Sequence, residues 1–202
     1  DVLLDFRTWL ICAQQFFRAA GYVFYATWFP EFLRMTREVN TASAGRLTSL
    51  PLLGVVLGGA IGGVSADFLE FVTGSRRISR QVLGIGSHGL CALLILAAQF
   101  IEDPTSATLV ISLGSFVFAL GASSAYAITM DLGGPHTSTL FGLMNMCGNI
   151  GAALCPMVVG LLVNALGWGP ILYFFAALYF AAAVCWLGLN PGQKPKMASG
   201  GT

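Results

Sequence analysis

The sequence predicts an all-α, polytopic membrane protein, and three observations lead to this fold class. Of the 202 residues, 56% are hydrophobic and only 9% are charged, whereas about 25% charged residues is usual in a soluble domain. The apolar residues form six stretches, each about as long as the 20 or so residues that a helix needs to cross a bilayer. The tryptophans lie near the ends of the first and last stretches, as expected for amphipathic rings at the two membrane interfaces.

The six predicted spans follow one another with short connections. The first contains Arg18, the third contains His88, and the other four contain no charged residue or histidine. Together they are expected to form one bundle over residues 1–190, followed by a disordered cytoplasmic tail over residues 191–202, which are rich in Gly, Lys and Ser. The predicted spans are Thr8–Leu33, Leu47–Ala66, Val82–Ile101, Ser106–Met130, Thr139–Leu166 and Trp168–Leu189.

The distribution of basic residues predicts the orientation of the bundle. With six spans, both termini lie on one side of the membrane, and that side carries six Lys or Arg residues against three on the other. Positive charge favours the cytoplasmic side. The sequence therefore predicts an integral protein of the plasma or inner membrane with both termini in the cytoplasm.

Several classes of function find no support in the composition. The net charge is +1 and no basic run occurs, so no nucleic-acid partner is expected. The five cysteines fall inside apolar stretches without a CxxC pair and are interpreted as small buried side chains, with no disulfide framework and no metal or cofactor site. "GASSA" in the fourth span resembles a serine protease motif, but the last span offers no histidine base. A non-enzymatic function is expected.

The first span carries an arginine where a charge is costly. Arg18 would cost at least ~2.5–3.5 kcal/mol at a bilayer centre. Gln15, Tyr22 and Tyr25 share its helical face, and Gln14 lies four residues before it. No predicted span contains a central Asp or Glu, so the partner of Arg18 must be a ligand, another part of a longer chain, or water. Because a guanidinium presents a planar fork of donors suited to carboxylates, this face is predicted to contact an anionic substrate.

The second and fifth spans contain small and polar residues at helical spacing. The second has glycines at every fourth position in two rows, Gly54–Gly58–Gly62 and Gly59–Gly63, and both rows are interpreted as close helix packing. The fifth has Asn145 and Asn149 one turn apart. These amides are expected either to bond to another helix or to line a polar cavity, and the sequence leaves both interpretations open.

Four segments carry a resemblance to a known family: "TWFPEFL", "AGRLTSLPLLGVVLGGAIGGVSAD", "GSRRISR" and "DLGGPHTSTLFGLMNMCGNIGAALCPMVVG". The chain resembles the second half of a major facilitator superfamily transporter. Within it, the segments are similar to the anion:cation symporter branch, which includes sugar-acid symporters, sialin and vesicular glutamate transporters. The resemblance implies a twelve-helix fold in two halves around a central cavity, with a 3+3 inverted repeat in each half. The six spans would be helices seven to twelve.

The resemblance also implies a function and partners. Arg18 lies twelve residues before Pro30, and Gln15 lies thirteen residues before Trp28, spacings that match cavity-lining residues of the branch. It implies symport of a small organic anion with H⁺ or Na⁺ by alternating access, in contact with membrane lipid and with an N-terminal six-helix half outside this sequence. Because the chain begins with Asp1, it is expected to be part of a longer one. The alternative is a six-helix scaffold or assembly domain without transport activity.

A gating role is implied for charged residues at the cytoplasmic ends of the helices. Gly63, Asp67, Arg76 and Arg77 match the family's gating loop, although "FLEFVT" makes the segment between aspartate and arginines longer than the family pattern. Asp131, at the start of "DLGGPHTST", is placed in the same predicted gating group.

Overall fold

The computed structural model describes residues 2–189, so the predicted tail over residues 191–202 lies outside the described residues. Within this range, all regular secondary structure is helical. Short 3₁₀ turns occur at Val2–Leu4 and Gly134–His136, and a π-helical turn at Phe24–Trp28 joins α1 to α2. The α-helices are α1 (Phe6–Val23), α2 (Phe29–Arg37), α3 (Thr41–Thr73), α4 (Arg76–Ala98), α5 (Pro104–Leu120), α6 (Ala122–Gly133), α7 (Thr137–Leu166) and α8 (Ile171–Gly188).

Four helical stretches in the described range are long and apolar enough to cross a membrane: Thr41–Thr73, Arg76–Ala98, Pro104–Leu166 and Ile171–Gly188. The third of these is folded back on itself. The Thr129 hydroxyl donates to the Met144 sulfur over 3.3 Å, although 15 residues of straight helix would separate these residues by about 22 Å. The reversal occurs at Gly134, whose φ of 48° suits a residue without a Cβ. The stretch is therefore a hairpin with α5–α6 as one arm and α7 as the other.

Side chains at the connections explain where three of the helices begin. Asn40, Ser75 and Asp103 each accept a hydrogen bond from a backbone N–H in the first turn of α3, α4 and α5, respectively. Such caps satisfy donors that have no partner within the helix. The bond from the Ser106 N–H to Asp103 also holds the pKa of this carboxyl below its usual value.

The two glycine rows of α3 have different surroundings. Gly54, Gly58 and Gly62 face α5, and a Cβ added at Gly58 would collide with the carbonyl oxygen of Phe116. A Cβ added at Gly59 or Gly63 would meet no atom within 4 Å. The first row therefore allows close packing within the bundle. The second row makes no such contact in the described part of the chain, so close packing of this row stays a prediction.

Aromatic rings fill the centre of the bundle. Phe24 lies 4.4 Å from Phe175 between ring centroids, and Phe118 lies 5.0 Å from Tyr179. Trp186, predicted to lie at a membrane interface, is instead fully buried against Gly84 of α4. The aromatic-belt interpretation is therefore wrong for this tryptophan, because the absence of a Cβ at Gly84 makes room for its indole ring inside the bundle.

Candidate functional site

Arg18 and Gln15 form the centre of the candidate site on α1. The Arg18 Nε–H donates to Gln15 Oε1 over 2.9 Å, which leaves the Nη1 and Nη2 groups without a hydrogen bond to any described residue. No salt bridge to Arg18 occurs among residues 2–189. The guanidinium therefore keeps a free two-pronged donor set, the arrangement that binds carboxylate or similar oxyanions.

Helix α7 is the nearest neighbour of this site. A Cβ added at Gly148 would lie 3.0 Å from Gln15 Cγ and 3.5 Å from the Ala19 Cβ. Asn145 and Asn149, which lie near Gly148 on α7, are exposed, and their side chains make no hydrogen bond with a described residue. Tyr22, one turn after Arg18, is 39% exposed. The packing at Gly148 thus brings exposed amide groups on α7 beside the polar face of α1.

Two of the predicted substrate-binding residues point into the protein interior instead. Gln14 is fully buried, and its Nε2 lies 3.2 Å from His88 Nε2. Tyr25 is also fully buried, and its hydroxyl lies 3.6 Å from the Cys91 sulfur. A substrate cannot reach either side chain in this structure. The prediction that both contact a ligand directly is corrected on this ground, since both side chains are buried against residues of α4, His88 and Cys91.

His88 is part of the buried contact that holds Gln14. His88 Nδ1 lies 2.8 Å from the Gly84 carbonyl oxygen, so we assign the ring proton to Nδ1, which donates to that oxygen. Nε2 is then free to accept from the Gln14 amide. This contact links α1 to α4 through Gln14, the residue before Gln15.

The predicted gating residues do not form one cluster in the described structure. Arg76 pairs with Glu70 over 2.8 Å rather than with Asp67. Gly63, Asp67 and Arg77 are exposed, and no hydrogen bond or ion pair joins them to another described side chain.

Asp131 does make a contact between helices. Its partner is Arg80, which connects the end of α6 to the first turns of α4. Arg80 is the last residue of GSRRISR, residues 74–80, which form the basic loop between the predicted second and third spans. Its spacing from Asp131 carries no helical signal, because the two residues are 51 positions apart.

Two cavities elsewhere in the described part of the chain are apolar. A groove of about 420 Å³ between α4 and α8 is lined by residues such as Leu93, Leu96 and Phe180. A second cavity of about 250 Å³ lies between α1 and α7 and includes Trp9 and Ile150. Neither cavity is lined by Arg18, so the polar face of α1, rather than either cavity, is the candidate site.

The long apolar helices are those of an integral membrane protein. Arg18, which has no carboxylate partner among the described residues, gives this bundle a polar site. The chain belongs to the Major Facilitator Superfamily, whose family profile matches residues 11–201.

Three proteins with sequences similar to this chain are named as transporters. The chain is 28% identical over 187 residues to a probable sulfoacetate transporter of Cupriavidus necator, covering 92% of this chain and 43% of that protein. It is 27% identical to a D-galactonate transporter of Escherichia coli, covering 86% of this chain and 40% of that protein. It is 31% identical to a probable galactarate/D-glucarate transporter of Bacillus subtilis, covering 81% and 36%. The chain thus spans less than half the length of these relatives.

Proposed function

We propose that this chain is the C-terminal half of a secondary symporter that moves a small organic anion across the membrane by alternating access. The observation that carries the proposal is Arg18, a partly buried guanidinium without a described carboxylate partner on the polar face of α1. The named substrates of the relatives, sulfoacetate, galactonate and glucarate, are all small acids. Their shared charge is the one that a free guanidinium attracts.

In this proposal, Arg18 binds the anionic group of the substrate through its Nη1 and Nη2 donors. Gln15 holds the guanidinium in orientation through its bond to Nε. Tyr22, Asn145 and Asn149 are exposed beside this pair and supply hydroxyl and amide groups for the remaining substrate oxygens. Gln14 and Tyr25 support the face from behind.

The bundle is proposed to span the membrane six times, with both termini in the cytoplasm of the cell that holds it in its plasma or inner membrane. Four stretches meet the length and composition of a span. The hairpin Pro104–Leu166 counts as one of these four, and it supplies a fifth span if its two arms cross the membrane separately. The continuous helical stretch from Phe6 to Arg37 would be the sixth. An N-terminal half of similar size would supply the rest of the cavity and the groups that couple transport to H⁺ or Na⁺.

The gate is proposed to lie at the basic loop, where α3 and α6 end and α4 begins. There, Arg80–Asp131 and Arg76–Glu70 are ion pairs that can break and re-form, while Gly63, Asp67 and Arg77 stay exposed for contact with the other half. The alternative of a scaffold domain without transport activity is less well supported, because the relatives named above are transporters.

Replacing Arg18 tests the substrate role. In the full-length transporter, Arg18→Ala and Arg18→Lys are compared for uptake of labelled sulfoacetate, galactonate and glucarate into whole cells. A hydrogen bond to a charged group contributes about 1.5–3 kcal/mol, so we expect uptake at low substrate concentration to fall roughly 10- to 100-fold in Arg18→Ala. Lysine keeps the charge but loses the planar fork, so Arg18→Lys should retain part of the uptake.

The matched control for this test is Arg46→Ala. Arg46 is exposed and bonds only to Ser43 within its own helix, so its loss should leave uptake unchanged. Equal uptake by the native protein and Arg18→Ala, at equal membrane levels, would remove Arg18 from the binding site. If none of the three acids is taken up by the native protein, they are not its substrates.

A further inference from the structure

Helices α1 and α7 run side by side in the same direction, in close contact over two turns. At one level, a Cβ added at Gly151 would collide with the carbonyl oxygen of Phe16. Cys12 and Cys147 each lie four residues before that pair, which is about one helical turn on both helices. The register of the helix pair therefore brings these two cysteines to the same level of the interface.

The position of the two side chains agrees with this register. Both Cys12 and Cys147 line the cavity of about 250 Å³ between α1 and α7. Cys12 is 2% exposed, whereas Cys147 is partly exposed. A small molecule in this cavity would meet Cys147 first, with Cys12 beside it in the cavity wall.

We propose that Cys12 and Cys147 form a dithiol that a peroxide oxidises to a disulfide between α1 and α7. The thiolate of one cysteine attacks a peroxide oxygen, the O–O bond breaks, and a sulfenic acid and one water form. The second sulfur then attacks the first, the S–S bond forms, and the hydroxyl leaves as water with the second thiol's proton. The two thiols lose two electrons and two protons, and hydrogen peroxide is reduced to two waters.

The other cysteines have different surroundings. The Cys91 sulfur contacts the Tyr25 hydroxyl at 3.6 Å inside the bundle, and Cys185 lies on α8. The disulfide would join α1 to α7 close to the contact of Gln15 with Gly148. Oxidation therefore changes the covalent structure directly beside the face that carries Arg18.

Mass spectrometry of the full-length protein tests this proposal without any substitution. The detergent-solubilised protein is reduced, treated with hydrogen peroxide, alkylated with N-ethylmaleimide and digested with chymotrypsin. We expect a cross-linked peptide pair that contains Cys12 and Cys147, that forms only after peroxide treatment, and that separates on reduction with dithiothreitol. Recovery of Cys12 and Cys147 as separate alkylated or sulfinic-acid peptides, or of Cys12 joined to another cysteine, would overturn the proposal.

Two single variants and a matched control extend this test. Cys12→Ser and Cys147→Ser should each abolish the cross-linked pair and leave the remaining partner alkylated. Cys185→Ser removes a cysteine with similar partial exposure and should leave the pair intact. If a serine variant fails to fold, the peptide map of the native protein decides alone. The readout is the cross-link itself, so it stands or falls independently of transport.

Discussion

Arg18 raises the free energy of placing α1 in a membrane, and it also gives this helix hydrogen-bond donors for a ligand. At the bilayer centre a charged side chain costs at least ~2.5–3.5 kcal/mol. Within the described structure the Arg18 guanidinium donates a single hydrogen bond, from Nε–H to Gln15 Oε1. That bond holds the Nε edge and leaves the opposite edge of the fork free. A bound anion would both neutralise the charge and use the donors that the protein leaves open.

Removing the acceptor on Gln15 should weaken substrate binding without removing the charge. Gln15→Leu keeps a similar volume against Gly148 but leaves the Arg18 Nε–H without its partner, so the guanidinium loses its orientation. We expect the KM for uptake to rise roughly 10-fold, the effect of about 1.4 kcal/mol, with a smaller change in kcat. Gln15→Glu should lower uptake further, because a carboxylate beside Arg18 competes with the substrate for its charge.

A glutamine elsewhere provides the control for this prediction. Gln99 is partly buried at the end of α4 and makes no side-chain hydrogen bond with a described residue, so Gln99→Leu should leave KM unchanged. An unchanged KM in Gln15→Leu, or equal increases in the two variants, would contradict the orienting role of Gln15.

Helical periodicity correctly predicted that Gln15 and Arg18 lie on one face of α1. Gln15 and Arg18 are three positions apart, and the structure joins them by a hydrogen bond. Periodicity also placed Gln14 and Tyr25 near Arg18, but it did not predict their partners His88 and Cys91, which lie 74 and 66 positions away. Such contacts depend on how the helices pack together, and the spacing of neighbouring residues does not determine that packing.

At the scale of elements, hydropathy located the apolar segments but not the ends or interruptions of the helices. The predicted span Leu47–Ala66 lies inside α3, which runs from Thr41 to Thr73. The extra turns contain the charged residues Arg46, Asp67 and Glu70, and their ends depend on the Asn40 cap and on Gly74, whose φ is 63°. The π-helical turn after Val23 and the break at Gly121 likewise depend on packing rather than on composition.

The two glycine rows of α3 give a matched pair of substitutions. Gly58→Ala places a methyl group against the Phe116 carbonyl oxygen, whereas Gly59→Ala places it in open space. Overpacking costs about 1–3 kcal/mol, while alanine gains roughly 1 kcal/mol of helix propensity over glycine. We expect thermal unfolding in detergent to shift to a lower temperature for Gly58→Ala and to stay level or rise for Gly59→Ala. Equal shifts in both variants would show that α3 and α5 are not in close contact.

At the scale of the whole molecule, charge and packing point to the same arrangement. The contact between Thr129 and Met144 folds α6 against α7, so the loop around His136 lies at the end of a hairpin. The basic loop before α4 lies at the same end, because Arg80 pairs with Asp131 at the end of α6. Residues near Ala42, at the start of α3, should then lie on the opposite side of the membrane.

Cysteine labelling tests this topology. Ala42→Cys and Ser138→Cys both introduce a thiol at an exposed position, and the native cysteines provide the background. In intact cells that contain the full-length protein, a membrane-impermeant maleimide should label Ala42→Cys at once. Ser138→Cys should be labelled only after the membrane is permeabilised, because three proposed spans separate the two sites. The reverse pattern would invert the orientation, and failure to label Ser138→Cys even after permeabilisation would show that the α6–α7 turn is buried within the bilayer.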